Sequence, residues 1–331
     1  MSKIGVLGAG TWGMALSRML CLKGHSVTVW SALEKEIDEF SANRRHPNLP
    51  GMEIPAQVAF TKDIQKACEG VDIVLFAVPS PFVRSTAKKA APYITAGQII
   101  VDVAKGIEKD TLFTMTQIIA DEIKNPNIKI VALSGPTHAE EVAKDLPTTV
   151  VSACEDVKTA KLVQEIFSSD CMRVYTNTDV LGVELCGAMK NIMALGSGIA
   201  LGLGFGDNIK AALITRGMAE IVRLGRAMGC DEHTFYGLAG VGDLIVTATS
   251  VHSRNNRCGM LLGQGVKPAD AIKQVGMVVE GIHALGAAVC LMERYQVDMP
   301  IVRAVNNVVN HNADPRQEVM ALMQRDQKPE V

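Results

Sequence analysis

The stretch KIGVLGAGTWGMALSRMLCLKG at residues 3–24 constrains what this chain can fold into more than any other part of it. A short apolar run at 4–7 leads into Gly8, Gly10 and Gly13, and the apolar positions Ala15, Leu16, Met19 and Leu20 then recur at helical spacing. The pattern predicts a strand, a tight turn and a helix, closed by Gly24 as a C-terminal cap. In this spacing one glycine makes the turn, one lets the backbone approach a pyrophosphate, and one packs helix against strand, with the first helical amides facing the anion. A glycine triplet alone is a weak sign. Here the strand lies immediately before it and the helix immediately after, which is the context a dinucleotide site requires.

Downstream, SVTVW at 26–30 reads as a second strand, 32–42 as a charged helix, and 43–55, with three prolines and a glycine, as a loop. Apolar runs recur at 71–78, 99–103, 128–133 and 148–151, with helical patterns between most of them. The N-terminal part is therefore expected to be α/β: a doubly wound, Rossmann-like domain whose parallel sheet is covered on both faces. From Asp179 onward the texture changes to long helical patterns with glycine-rich joints such as 196–206, which predicts a mostly α-helical second domain. The expected division is 1–178 and 179–331.

The 331 residues, 48% of them hydrophobic and 21% charged, suffice for two real cores and exclude a disordered or fibrous chain. A net charge of -2 gives no global pull toward nucleic acid or anionic membranes. The eight cysteines form no Cys-x-x-Cys pair and no zinc-like spacing with histidine, so they read as free thiols in a reducing compartment, with no metal site. The first strand begins almost at once, and no uninterrupted apolar run is long enough to span a bilayer. The expectation is a cytoplasmic protein.

In doubly wound sheets ligands sit beyond the carboxyl ends of the strands. Those ends are the glycine turn, residues 78–80, 104–106 and 134–137. Lys105 follows a strand and is placed to face the cofactor crevice, although a solvated loop lysine fits the position equally well. Gly135, Pro136 and Thr137 lead into HAEEVA, a helix start whose free amides suit a polar ligand.

Lys190 is more informative. After Asp179, a suitable N-cap, the segment 180–195 leaves hardly any polar face, and Glu184 and Lys190 are its only charges. Lys190 is neither three nor four residues from Glu184, so no local ion pair accounts for it. A partly desolvated ammonium gives up its proton more readily, which makes Lys190 a candidate general base. Further on, LAGVGD at 238–243 places Asp243 after two glycines that allow tight folding around it, and HSRNN at 252–256 gathers donors suited to a phosphate. A solvated helix-start loop accounts for the second segment as well.

With these residues assembled, the chain closely resembles the bacterial-type NAD(P)-dependent glycerol-3-phosphate dehydrogenases. The resemblance rests on GAGTWG at 8–13, KGIE at 105–108, LSGPTHAEEVA at 133–143, the segment 183–213 that opens VELCGAMKN, GLAGVGDLIVTATSVHSRNN at 237–256 and VVEGIHA at 278–284. It implies that Lys190 is the proton acceptor. Lys105, Gly135, Thr137, Asp243, Ser253, Arg254 and Asn255 would line the substrate, and Thr11, Trp12, Lys105, Ala139, Arg254, Val278 and Glu280 would touch the cofactor. Ala104 stands where serine or threonine is frequent, and Thr137-His138 where Ser-Phe is usual, which bears on how the site's edge packs.

The implied reaction is reversible hydride transfer between NAD(P)H and dihydroxyacetone phosphate, supplying glycerol 3-phosphate for phospholipid synthesis, in a homodimer. A related two-domain 3-hydroxy acid dehydrogenase, a non-enzymatic dinucleotide sensor and an FAD-binding protein are the alternatives. The second strand ends without a carboxylate, the first acid being Glu34, and Lys35, Arg44 or Arg45 are candidates to reach a 2′-phosphate. Use of both cofactors, with a mild preference for NADP(H), is therefore expected.

Overall fold

The computed structural model describes residues 1–327, 329 and 330. Among them the chain forms two compact units, one of Met1–Lys105 and Phe113–Glu184, the other of Gly106–Leu112 and Leu185 onward. The division expected after residue 178 lies just ahead of this change of unit, which falls inside a helix.

The first unit is built on one sheet of eight strands: β1 Lys3–Leu7, β2 Ser26–Trp30, β3 Ala59–Thr61, β4 Ile73–Phe76, β5 Ile99–Asp102, β6 Lys129–Ser134, β7 Thr148–Ala153 and β8 Met172–Asn177. Their order is β3-β2-β1-β4-β5-β6-β7-β8, so the chain winds outward in both directions from β1. Helices cover both faces because successive strand residues point to opposite sides. Ile4, Val6, Val101 and Val131 pack with α1 (Thr11–Leu22), α2 (Glu34–Asn43), α6 (Ala139–Val142) and α7 (Val157–Phe167). Leu7, Val74, Phe76 and Ile100 pack with α3 (Ile64–Cys68), α4 (Val83–Ala90) and α5 (Met115–Ile123). The doubly wound reading holds, with one correction. The sheet is not parallel throughout, since β7 runs antiparallel to β6 and carries β8 with it. The link 135–147 holds only the single turn α6, not the full crossover helix that usually carries a parallel return.

The second unit is helical, as expected. α8 (Val180–Gly202) runs through its middle and is followed by α9 (Asp207–Ala227), α10 (Glu232–Phe235), α11 (Asp243–Thr249), α12 (Arg254–Gly263), α13 (Pro268–Val275), α14 (Glu280–Arg294), α15 (Pro300–Asn310) and α16 (Pro315–Met323). By length and composition α8 would cross a bilayer, but 89% of its most apolar window is buried inside the protein, as in the core helix of a folded domain. The glycines of 196–202, read above as joints, lie within this helix. A Cβ on Gly198 or Gly202 would stand 2.1 or 2.2 Å from a carbonyl oxygen of α12, and one on Gly259 or Gly263 of α12 would meet α8 as closely. These two i,i+4 glycine pairs let the backbones of α8 and α12 touch.

Glu220, on α9, is buried, and its carboxyl oxygens accept from the amides of Ile301 at 2.7 Å and Val302 at 3.2 Å, the open first turn of α15. Burial pushes this carboxyl up to about 7, against 4.5 for an ordinary glutamate. Between those values the unfolded chain binds fewer protons than the folded one, so stability falls as pH rises. Glu220→Gln should therefore gain on the wild type by up to about 3 kcal/mol over that interval. Melting temperatures of both proteins from about pH 4.5 to about pH 8 test this, and a constant difference would show that Glu220 titrates alike in both states.

Candidate active site

At the carboxyl edge of the sheet, Gly8 adopts φ 124°, a left-handed conformation that favours glycine, and a Cβ there would lie 2.7 Å from the Ala77 carbonyl. A Cβ on Gly13 would stand 2.2 Å from the Gly8 oxygen, so α1 can pack this closely only through glycine. Gly10 differs: no atom lies within 4 Å of its would-be Cβ. It is also the N-cap of α1 and has no side chain to satisfy the first-turn amides, which Thr11 and Trp12 open. Two tight glycines and one open one, ahead of uncapped amides, fit a dinucleotide pyrophosphate.

Along the same edge, half-buried Lys105 donates from Nζ to the Gly135 carbonyl at 3.0 Å, and the Thr137 hydroxyl donates to that oxygen at 3.1 Å. Lys105, Gly135 and Thr137 are thus brought together, with Ala139 buried in the first turn of α6. Where β2 ends, the Ser31 hydroxyl donates to Glu36 at 2.7 Å, and Glu34 lies 3.6 Å from Lys62. Arg44 donates to the Val58 carbonyl at 2.7 Å and stacks over Phe60, so this cation is committed to the protein's own loop.

In the second unit, Asp179 caps α8 by accepting from the Gly182 amide at 2.9 Å. Lys190, 5% exposed, donates to Asp243 Oδ1 at 2.5 Å and to the Thr247 hydroxyl at 2.8 Å. Asp243 is fully buried and follows the π-helical turn Leu238–Gly242, which delivers the carboxylate to α8. The ion pair compensates a charge that an apolar helix could not otherwise hold, and it fixes the position of the amine. Thr247 was not foreseen. It sits one turn after Asp243, donates to the Asp243 backbone carbonyl at 2.6 Å, and leaves its oxygen to accept from Lys190.

The 252–256 segment separates by role. Ser253 is the N-cap of α12, accepting from the Asn256 amide at 3.2 Å. Asn255 is buried and clips three elements, donating to Asn191 on α8 at 2.9 Å and accepting from the Gly281 amide at 2.8 Å. That bond holds the start of α14, where half-buried Val278 and Glu280 stand. Asn191 is a second residue that the sequence did not single out. Arg254, at the first helical position, is half-buried, and its side chain makes no hydrogen bond or ion pair among the described residues.

The chain matches the family models described as the NAD-dependent glycerol-3-phosphate dehydrogenase N-terminus, over residues 3–160, and C-terminus, over residues 179–320. It is 64% identical to glycerol-3-phosphate dehydrogenase (NAD(P)+) 2 of Lactobacillus delbrueckii subsp. bulgaricus, covering 100% of this chain and 99% of that one. It is 50% identical to the glycerol-3-phosphate dehydrogenase (NAD(P)+) of Agathobacter rectalis, covering 100% and 98%. The crystal structure of glycerol-3-phosphate dehydrogenase from Coxiella burnetii superposes with a TM-score of 0.94 at 36% identity, over 98% of this chain and 99% of that one. The chain belongs to the NAD-dependent glycerol-3-phosphate dehydrogenase family.

Proposed function

We propose that this protein reduces dihydroxyacetone phosphate to glycerol 3-phosphate, reversibly, with a nicotinamide dinucleotide. The observation that carries the reading is the amine of Lys190, fixed by Asp243 and Thr247 on a mostly apolar, buried helix whose only other charge is Glu184. The cofactor, when bound by the glycine turn and the α1 amides, supplies or accepts the hydride at C2. Lys190 does the proton work. In reduction its ammonium polarises the C2 carbonyl and protonates the nascent oxygen; in oxidation the amine takes the hydroxyl proton. Asp243 and Thr247 hold Nζ in place, so no energy is spent orienting it at the moment of reaction. Lys105, Gly135 and Thr137 form the polar wall of the first unit, to which Lys105 brings a positive charge for the substrate. Within the second unit, Arg254 and the start of α12 are assigned to the phosphate, and Val278 and Glu280 to the cofactor.

Both cofactors serve, with a mild preference for NADP(H). Lys35 and Arg45 are exposed and able to turn toward a 2′-phosphate, while Glu36, held at Ser31, keeps the preference small. The product feeds phospholipid synthesis in the cytoplasm, and the enzyme acts as a homodimer. Oxidation of NADH and of NADPH by the purified protein, with dihydroxyacetone phosphate or a 3-keto acid, tests the reading. Turnover with the keto acid alone would replace it by the hydroxy acid dehydrogenase. A large advantage in kcat/KM for NADH would show that Glu36 or Glu34 does the work of the missing strand-end acid.

A further inference from the structure

Between β5 and α5 the chain makes an excursion. Residues up to Lys105 belong to the first unit, Gly106–Leu112 to the second, and Phe113 returns to the first. Both feet of this excursion rest on buried acids that the reaction does not use. At the leaving foot stands Asp102, 1% exposed, whose Oδ1 accepts from the Ala104 amide at 3.3 Å and folds the strand end back just before Lys105. Its Oδ2 is buried and has no partner among the described residues. At the returning foot stands Glu184, 7% exposed. It accepts from the hydroxyls of Thr114 at 2.7 Å and Thr116 at 2.5 Å, and from the Thr116 amide at 2.8 Å, so it holds the N-terminal turn of α5. Leu112, where the excursion ends, has φ 60°, a conformation that costs a leucine energy and persists only if its surroundings impose it.

Burial, and next to it the Glu184 carboxylate, push the Asp102 carboxyl well above the usual range. Glu184 is raised by burial too, but the hydrogen bonds from Thr114 and Thr116 oppose the shift. Both shifts oppose a second uncompensated charge in the interior, and at Asp102, whose Oδ2 has no partner among the described residues, only backbone hydrogen bonds counter the shift.

We propose that Asp102 is a positioning residue for the reaction, acting with Glu184 to clamp the two feet of the excursion and so to set Lys105 against Gly135. The inference rests on the reading of Lys105 as a substrate contact. Asparagine at 102 keeps the Oδ1 acceptor for the Ala104 amide and carries no charge, whereas alanine removes the acceptor. Asp102→Ala should raise KM for dihydroxyacetone phosphate by about tenfold, Asp102→Asn should stay within about threefold of wild type, and Asp102→Ala with Lys105→Ala should be no worse than Lys105→Ala alone. Additive losses, or an Asp102→Ala protein that melts earlier with KM and kcat unchanged, would overturn the proposal while leaving the role of Lys105 intact. If Lys105→Ala itself leaves KM unchanged, the substrate assignment of Lys105 fails and this inference falls with it.

Discussion

Lys190→Met is expected to lower kcat by about two to four orders of magnitude, the usual contribution of a general acid-base group. The substitution also leaves Asp243 buried without its counter-ion, and breaking a buried pair from one side costs about 3–5 kcal/mol. Loss of activity in this variant alone would thus be ambiguous. The double variant Lys190→Met with Asp243→Asn removes the stranded charge and should recover much of the lost stability while recovering no turnover. Melting curves together with single-turnover rates for both proteins separate the two effects. Wild-type kcat in either variant would make Lys190 structural and sink the mechanism.

Arg254→Ala should raise KM for dihydroxyacetone phosphate by about ten- to a hundredfold, as expected for a charge-assisted contact of about 1.5–3 kcal/mol. A cation in the first turn of a helix faces the positive end of the helix dipole, and the first turn of α12 holds no acid to offset it. An arriving phosphate would relieve that repulsion, which makes the position unfavourable without ligand and favourable with it. Arg254→Lys keeps the charge but loses the planar fork, so it too should be harmful. Unphosphorylated dihydroxyacetone, which lacks the charged group that Arg254 would contact, should respond much less to either change. Equal losses with both substrates would assign Arg254 to the cofactor or the fold.

The β1-α1-β2 unit was legible because glycine punctuation and apolar runs coincide there, and β2 spans the residues read for it. β3 and α3 were missed because three and five residues are too few to establish a period. The direction of β7 is a property of its connection rather than of its own residues, so its apolar run could not reveal it. Glycines placed for helix contact in α8 look the same in a sequence as glycines placed for turning, which is why 196–202 read as a joint. Lys190 stood out against an apolar helix, but its partner lies 53 residues away, beyond any local pairing rule. Thr247 and Asn191 carry no comparable signal, since threonine and asparagine occur in helices for many reasons.

The excursion at Gly106–Leu112 also decides how the polypeptide can be divided. A fragment beginning at residue 179 would contain α8 through α16 but lack Ile107 and Leu112, both packed against that unit's core. A fragment ending at 178 would keep those two side chains with their packing partners gone, and would stop short of Glu184, the acceptor for Thr114 and Thr116. No single scission yields two autonomous folding modules, so a fusion joint or protease site placed at the sequence division leaves each piece without part of its own interior.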